Sequence, residues 1–158
     1  MARRARKPLA PPRVLTAFWD TSALVPLCVT QSFTVRASQL YETYQMVIWW
    51  ATPVELASAL ARLMRTQYLS VADWKAANAL AARLGDEWST VQPSRALQSA
   101  ALSLVERFDL RAADALQLAA ALEWCEGNPS GRTVLAADQK LREAALMLGF
   151  NSPPILPH

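Results

Sequence analysis

The chain has 158 residues, 53% hydrophobic and 18% charged, enough apolar material for one globular domain and too much for a disordered chain. Its +3 charge is uneven: residues 1–13, MARRARKPLAPPR, hold Arg3, Arg4, Arg6, Lys7, Arg13 and no acid, so 11 of the 16 basic residues face all 13 acidic ones elsewhere and the body is slightly acidic. The single histidine, His158, excludes Ser-His-Asp, Cys-His and two-histidine ribonuclease chemistry, and no Gly-rich phosphate loop is present, so carboxylates must carry most of any chemistry.

The tail 1–13 reads as a basic, Pro-containing, disordered extension, with a nucleic-acid-binding arm as the alternative, and residues 14–158 as one domain. VLTAFW (14–19) is a buried strand, followed by a turn at Asp20 into a short helix containing Pro26. Residues 32–44 form a helix with Ser32 as its N-cap, and MVIWW (46–50) is a second buried strand. TPVELASALARLMRTQYL (52–69) is a helix with Pro53 at its first position and a Leu56, Leu60, Leu63 stripe. Ser70 opens a helix that stops at Gly85, Val91 is a short extended piece, and Ser94 caps a helix to Phe108. A helix follows from 112 to about Cys125, EGNPSG (126–131) is a loop, RTVLAA (132–137) a strand, and DQKLREAALMLG a helix ending at Gly149. Ile155 and Leu156 could add an edge strand. Short apolar strands alternating with amphipathic helices predict α/β layers around a parallel sheet. No apolar run has the length of a membrane span, the basic start lacks the apolar segment of a secretory signal, and Cys28 and Cys125 match no metal spacing; a cytoplasmic protein with reduced thiols is expected.

An acid follows each confident strand. Asp20 follows the first, Glu55 opens the helix after the second, and Asp138 follows the last. In a parallel sheet the carboxyl ends of the strands share one edge, where ligands bind. Asp114 opens the helix before the last strand and aligns with Leu118 and Leu122, on a face where a lone carboxylate costs several kcal/mol (about 2–7 by transfer scales). A cluster of four acids would explain its place. Clustered carboxylates raise one another's pKa, and hard, oxygen-seeking Mg²⁺ or Mn²⁺ is the usual relief, capable of activating water against a phosphodiester. Each acid also has an ordinary reading: Asp20 and Asp138 as N-caps, Thr52-Pro53-Val54-Glu55 as a capping box, Asp114 as a first-turn acid favoured by the helix dipole.

The segments FWDTSALVPL, TPVELASALARL, LRAADALQLAAAL and VLAADQKLREAALMLGF resemble the four signature segments of PIN-domain nucleases, and among them the VapC-type toxins of bacterial toxin–antitoxin pairs. The resemblance spans about residues 14–150. It implies a three-layer α/β/α sandwich on a parallel sheet and Mg²⁺- or Mn²⁺-dependent hydrolysis of RNA, with Asp20, Glu55, Asp114 and Asp138 as catalytic metal-binding acids. It also implies a homodimer and an antitoxin partner. Thr21 and Ser22 match the small hydroxyl residues after the first Asp, with Ser22 orienting that acid. Ala136 departs from the pattern, which commonly has Thr or Ser two residues before the last Asp, and so removes one supporting hydrogen bond.

Two rivals follow from other classes. An aspartyl phosphotransferase would use Asp20 but wants a second Asp where Ser22 stands. A catalytically silent PIN-like domain would bind RNA or protein, and should keep the fold and lose the acids. For gripping RNA, Arg111 and Lys140 are nearest the rim in sequence. Arg62, Arg65 and Arg142 read as solvated side chains, and the tryptophans at 49, 50, 74 and 88 as packing rather than base-stacking residues.

Overall fold

A computed structural model describes residues 15–30 and 34–155. The basic tail 1–13, the Ser32 cap, Leu156 and His158 lie outside the described residues. The elements, in order, are β1 (Leu15–Trp19), α1 (Thr21–Cys28), α2 (Thr34–Thr43), β2 (Tyr44–Trp49), α3 (Thr52–Arg65), α4 (Val71–Gly85), β3 (Ser89–Val91), α5 (Arg95–Arg107), α6 (Ala112–Trp124), β4 (Thr133–Leu135) and α7 (Gln139–Leu148). The four strands form a parallel sheet in the order β3-β2-β1-β4. No helix among the described residues is long and apolar enough to cross a membrane.

β1, β2 and β4 are apolar on both faces over most of their length because both faces are covered, whereas the edge strand β3, Ser89-Thr90-Val91, is largely exposed. Side chains alternate along a strand, so Ala17, Trp19, Met46, Ile48 and Leu135 enter one core with Leu24, Leu40, Leu56 and Leu60 of α1–α3. Phe18, Val47, Trp49 and Val134 enter a second core with Leu97, Leu104, Leu118 and Leu141 of α5–α7. The result is a three-layer α/β/α sandwich of PIN-like form.

The chain steps outward from β1 to β2 to β3, then returns past β1 to β4. The strand order therefore reverses between β1 and β4. At such a switch point the two crossovers leave on opposite faces and a crevice opens beyond the strand ends.

Several boundaries differ from the sequence expectations. β2 begins at Tyr44, because Tyr44 and Gln45 pair with Leu15 and Thr16, and Trp50 lies outside it in an exposed turn. α3 ends at Arg65, where Gln67 takes a left-handed φ of 61° and Tyr68 and Leu69 N–H return to Leu63 O. α4 runs through Gly85, whose use is space: a Cβ there would sit 3.3 Å from the Trp88 ring. β4 is confined to Thr133–Leu135. Ile155 joins no edge strand; it is buried beside α1–α4, and the added parallel bridge is Thr133 with Asn151.

Gly149 closes α7 as expected, at φ 100°, with its N–H on Leu146 O and Phe150 N–H on Ala145 O. This turn lets buried Phe150 re-enter the core. A left-handed residue with a Cβ costs roughly 1–2 kcal/mol. Gly149→Ala should therefore lower the thermal midpoint by a few degrees, measurable by circular dichroism; an unchanged midpoint would show that this turn is not what ends the helix.

Candidate active site

Asp20 stands where β1 becomes α1, at the switch point. Its backbone N–H continues the sheet onto Leu135 O (2.9 Å), and its side chain caps α1 by accepting from Ser22 N–H (2.9 Å) and Ser22 Oγ–H (2.5 Å), both at Oδ2. Ser22 Oγ in turn accepts from the backbone N–H groups of Ala137 (2.9 Å) and Asp138 (3.2 Å). One hydroxyl thus ties the end of β1 to the end of β4. Asp138 caps α7 through Oδ1, which accepts from Leu141 N–H at 2.9 Å. Ala136 is buried in the α5–α7 core and brings no hydroxyl to the site.

Glu55 does not form the expected capping box. The N-cap of α3 is Ala51, with no side-chain cap, and Thr52 is the first helical residue, fully buried. Thr52 is turned inward to Gln117 instead, and Glu55 turns into the site. There Glu55 Oε2 accepts from Thr21 Oγ1 (3.1 Å) and from Gln117 Nε2 (3.0 Å). Gln117 Nε2 also lies 3.3 Å from both Thr21 Oγ1 and Thr52 Oγ1. The sequence reading passed over Gln117; its signal was a lone amide inside the otherwise apolar run ALQLAAAL of α6. Its Oε1 is buried without a partner among the described residues, which costs roughly 1–3 kcal/mol.

Asp114 is the third residue of α6, half-buried, one turn before fully buried Leu118. It lines a cleft of about 560 Å³ together with Asp20, Glu55 and Asp138, so the fold brings all four acids to one hollow. Thr21 and Ser22 line it too. Three of the acids follow one pattern: Asp20 Oδ2, Asp138 Oδ1 and Glu55 Oε2 are anchored, while the other oxygen of each makes no hydrogen bond among the described residues.

The grouping is electrostatically costly. Burial, reinforced by the charges of Glu55 and Asp114, pushes the Asp20 carboxyl up to about 6 against the opposing Ser22 hydrogen bonds. Burial and the charge of Asp138 also raise Asp114, opposed by the backbone N–H and guanidinium of Arg111.

The far wall of the cleft is basic. Arg62 and Arg65 lie seven and ten residues beyond Glu55, on the same face of α3, and both line the hollow. Neither side chain makes a hydrogen bond or ion pair among the described residues. Arg111 and Lys140, the sequence-nominated contacts, do not line the cleft; Lys140 is paired with exposed Asp109 at 2.5 Å. Of the tryptophans, Trp49 is buried, Trp74 and Trp88 are partly buried beside α1–α4, and exposed Trp50 meets Trp49 edge-on with centroids 6.3 Å apart. Cys28 and Cys125 are both free and buried.

The donor set fits a hard divalent cation: every donor is oxygen, the acids lack cationic partners at hydrogen-bond range, and Asp20 is strained by its own charge. Among the described residues no three His, Cys, Asp or Glu side chains come close enough together to hold a metal ion jointly. An open site with few protein ligands and several waters is what Mg²⁺ takes.

The sequence matches no family model and no curated protein. Solved structures share the fold, among them the following three. PAE2754 from Pyrobaculum aerophilum is 21% identical over 87% of this chain and 89% of that one, with a TM-score of 0.60. VapC20 from Mycobacterium tuberculosis, a sarcin-ricin-loop-cleaving toxin, is 20% identical over 82% and 95%, with a TM-score of 0.60. A toxin–antitoxin complex from Klebsiella pneumoniae is 17% identical over 79% and 88%, with a TM-score of 0.52.

The raised Asp20 carboxyl fixes a pH dependence. Between about pH 4 and 6 the unfolded chain has released the Asp20 proton and the folded chain still holds it, so the contribution of Asp20 to stability is present below pH 4 and is lost as pH rises through 6. At about 1.4 kcal/mol per pH unit the loss is about 3 kcal/mol. In chelator, Asp20→Asn, which keeps the cap, should lack this falling limb when its denaturation profile is compared with wild type. Parallel profiles across pH 4–6 would mean that Asp20 ionises freely.

Proposed function

We propose that this protein is a divalent-cation-dependent ribonuclease, the toxin of a toxin–antitoxin pair of the VapC type. The observation that carries the proposal is the meeting of Asp20, Glu55, Asp114 and Asp138, from four separate elements, in one cleft whose other wall holds the unpaired Arg62 and Arg65. The fold likeness to a sarcin-ricin-loop-cleaving toxin supports RNA as the substrate, and the likeness to a toxin–antitoxin complex supports an antitoxin partner. A homodimer is proposed with them.

In this reading Asp20 and Asp114 hold the cation, with Glu55 and Asp138 contributing directly or through water. The ion would supply Lewis-acid stabilisation of phosphoryl charge and a more acidic water. Ser22 fixes Asp20 and the start of α7 in one frame, so the acids on the first and last strands keep their separation. Arg62 and Arg65 draw the polyanion toward the acids and bind phosphates flanking the cleaved bond. Acid and base are thereby separated along α3: the carboxylate at its N-terminal end takes the cation side, the guanidiniums at its C-terminal end take the backbone.

A binding domain without catalysis is the competing reading, and the open arrangement of the acids favours it. One experiment separates them. Purified protein should cut single-stranded or loop RNA with added Mg²⁺ or Mn²⁺ and stop in chelator. Asp114→Asn should fold and lose about a hundredfold or more in rate, the scale of a preorganised catalytic group. Arg62→Ala and Arg65→Ala should instead weaken RNA binding and flatten its salt dependence. Undiminished cleavage in chelator would overturn the metal mechanism, and RNA bound but never cut would establish the silent domain.

A further inference from the structure

The catalytic reading uses the acids and the arginines, and leaves one side chain at the centre of the site without a task. Gln117 lies one turn beyond Asp114 on α6 and is 1% exposed, surrounded on its own helix by buried Ala115, Leu118, Ala119, Ala120 and Ala121. Its Nε2 meets Glu55 Oε2 at 3.0 Å and the Thr21 and Thr52 hydroxyls at 3.3 Å, while Thr21 donates to the same Glu55 oxygen at 3.1 Å.

We infer that Gln117 is a positioning residue, which holds Glu55 in one orientation for the cation; the inference rests on the ribonuclease reading above. An ionised carboxylate only accepts hydrogen bonds, so the amide must present its nitrogen to Glu55. That choice turns Oε1 away, into a buried place with no partner among the described residues. Folding gains little from this arrangement: the amide satisfies the buried Thr52 hydroxyl but strands its own Oε1, so one buried polar group is met at the cost of another. The glutamine is explained by what it does to Glu55.

Two donors on Oε2 fix a side chain that otherwise rotates about three bonds, and leave Oε1 as its uncommitted oxygen in the cleft. The donors are neutral. A lysine or arginine in the same place would hold Glu55 equally firmly, but its charge would cancel the negative potential that draws a cation. An amide orients the carboxylate and leaves that potential intact. It also joins α6, which carries Asp114, to α1 and α3, so two acids on different helices share one brace.

The test is Gln117→Met, read against Glu55→Gln and the double variant. Gln117→Met should fold with a melting temperature near that of wild type, because it removes the stranded Oε1 and leaves the buried Thr52 hydroxyl without its partner. Its affinity for Mn²⁺ alone, by titration calorimetry without RNA, should fall about 10–100-fold, the usual effect of removing a partner that orients a metal-binding group. In RNA cleavage kcat should fall with KM little changed. On the Glu55→Gln background the same substitution should add nothing, because Gln117 acts through Glu55. Should methionine prevent folding, Gln117→Glu has the native shape, sets a carboxylate against Glu55 and should show the same losses. A folded variant with wild-type Mn²⁺ affinity and kcat overturns the inference, as does an equal loss with and without Glu55. A wild type that binds Mn²⁺ but cuts no RNA defeats the ribonuclease reading alone, and the calorimetry still decides Gln117; a wild type that neither binds nor cuts defeats both.

Discussion

The site depends on a division of labour within single carboxylates. Asp20, Asp138 and Glu55 each commit one oxygen to the fold, through Ser22, Leu141 N–H, or Thr21 and Gln117, and keep the other uncommitted at the cleft. Anchoring by one oxygen supplies rotamer order, and for the two aspartates the anchor is a helix N-terminus. Structural cap and candidate ligand are one residue in two capacities. Choosing between these roles is unnecessary at Asp20 and Asp138, and this is why ordinary N-cap positions can assemble a reactive site at the end of a parallel sheet.

The strand order explains why the assembly happens there. Reversal of the strand order between β1 and β4 opens a crevice at the rim, where these neighbouring strands send their following helices to opposite faces. Ser22 bridges that gap, accepting from the β4 side while donating to Asp20. Burial, reinforced by the neighbouring acids, raises Asp20 and Asp114, so the fold holds desolvated and mutually repelling carboxyls at the point where a cation would relieve them. The arginines of α3 line the same cleft without neutralising the acids by direct pairing.

The layered fold was legible because the strands are short, apolar and separated by long amphipathic helices, and because an acid followed each confident strand. The boundaries that moved did so for tertiary reasons. Tyr44 enters β2 through pairing with Leu15, and Ile155 is drawn beneath α1–α4 rather than to the sheet edge. Thr52 and Glu55 spelled a capping box, but local spacing carries no information about Gln117, 62 residues away, which claims both side chains. Gln117 itself was visible as a polar residue on an apolar helix; only the structure supplies its partner. Arg62 and Arg65 could have been placed from their helical spacing to Glu55, whereas proximity in sequence to Asp114 and Asp138 favoured Arg111 and Lys140, and Lys140 is taken by Asp109.

If stored carboxylate repulsion is what the cation relieves, metal and stability must be linked. Calorimetric melting over a Mn²⁺ series, with Asp20→Asn beside wild type, measures that link without RNA. The wild-type midpoint should climb with the logarithm of free Mn²⁺ above the dissociation constant, corresponding to about 2.7 kcal/mol at a hundredfold excess over it. Asp20→Asn should start at or above the metal-free wild type and gain little. A wild-type midpoint indifferent to Mn²⁺, with Asp20→Asn no more stable in its absence, would contradict the account.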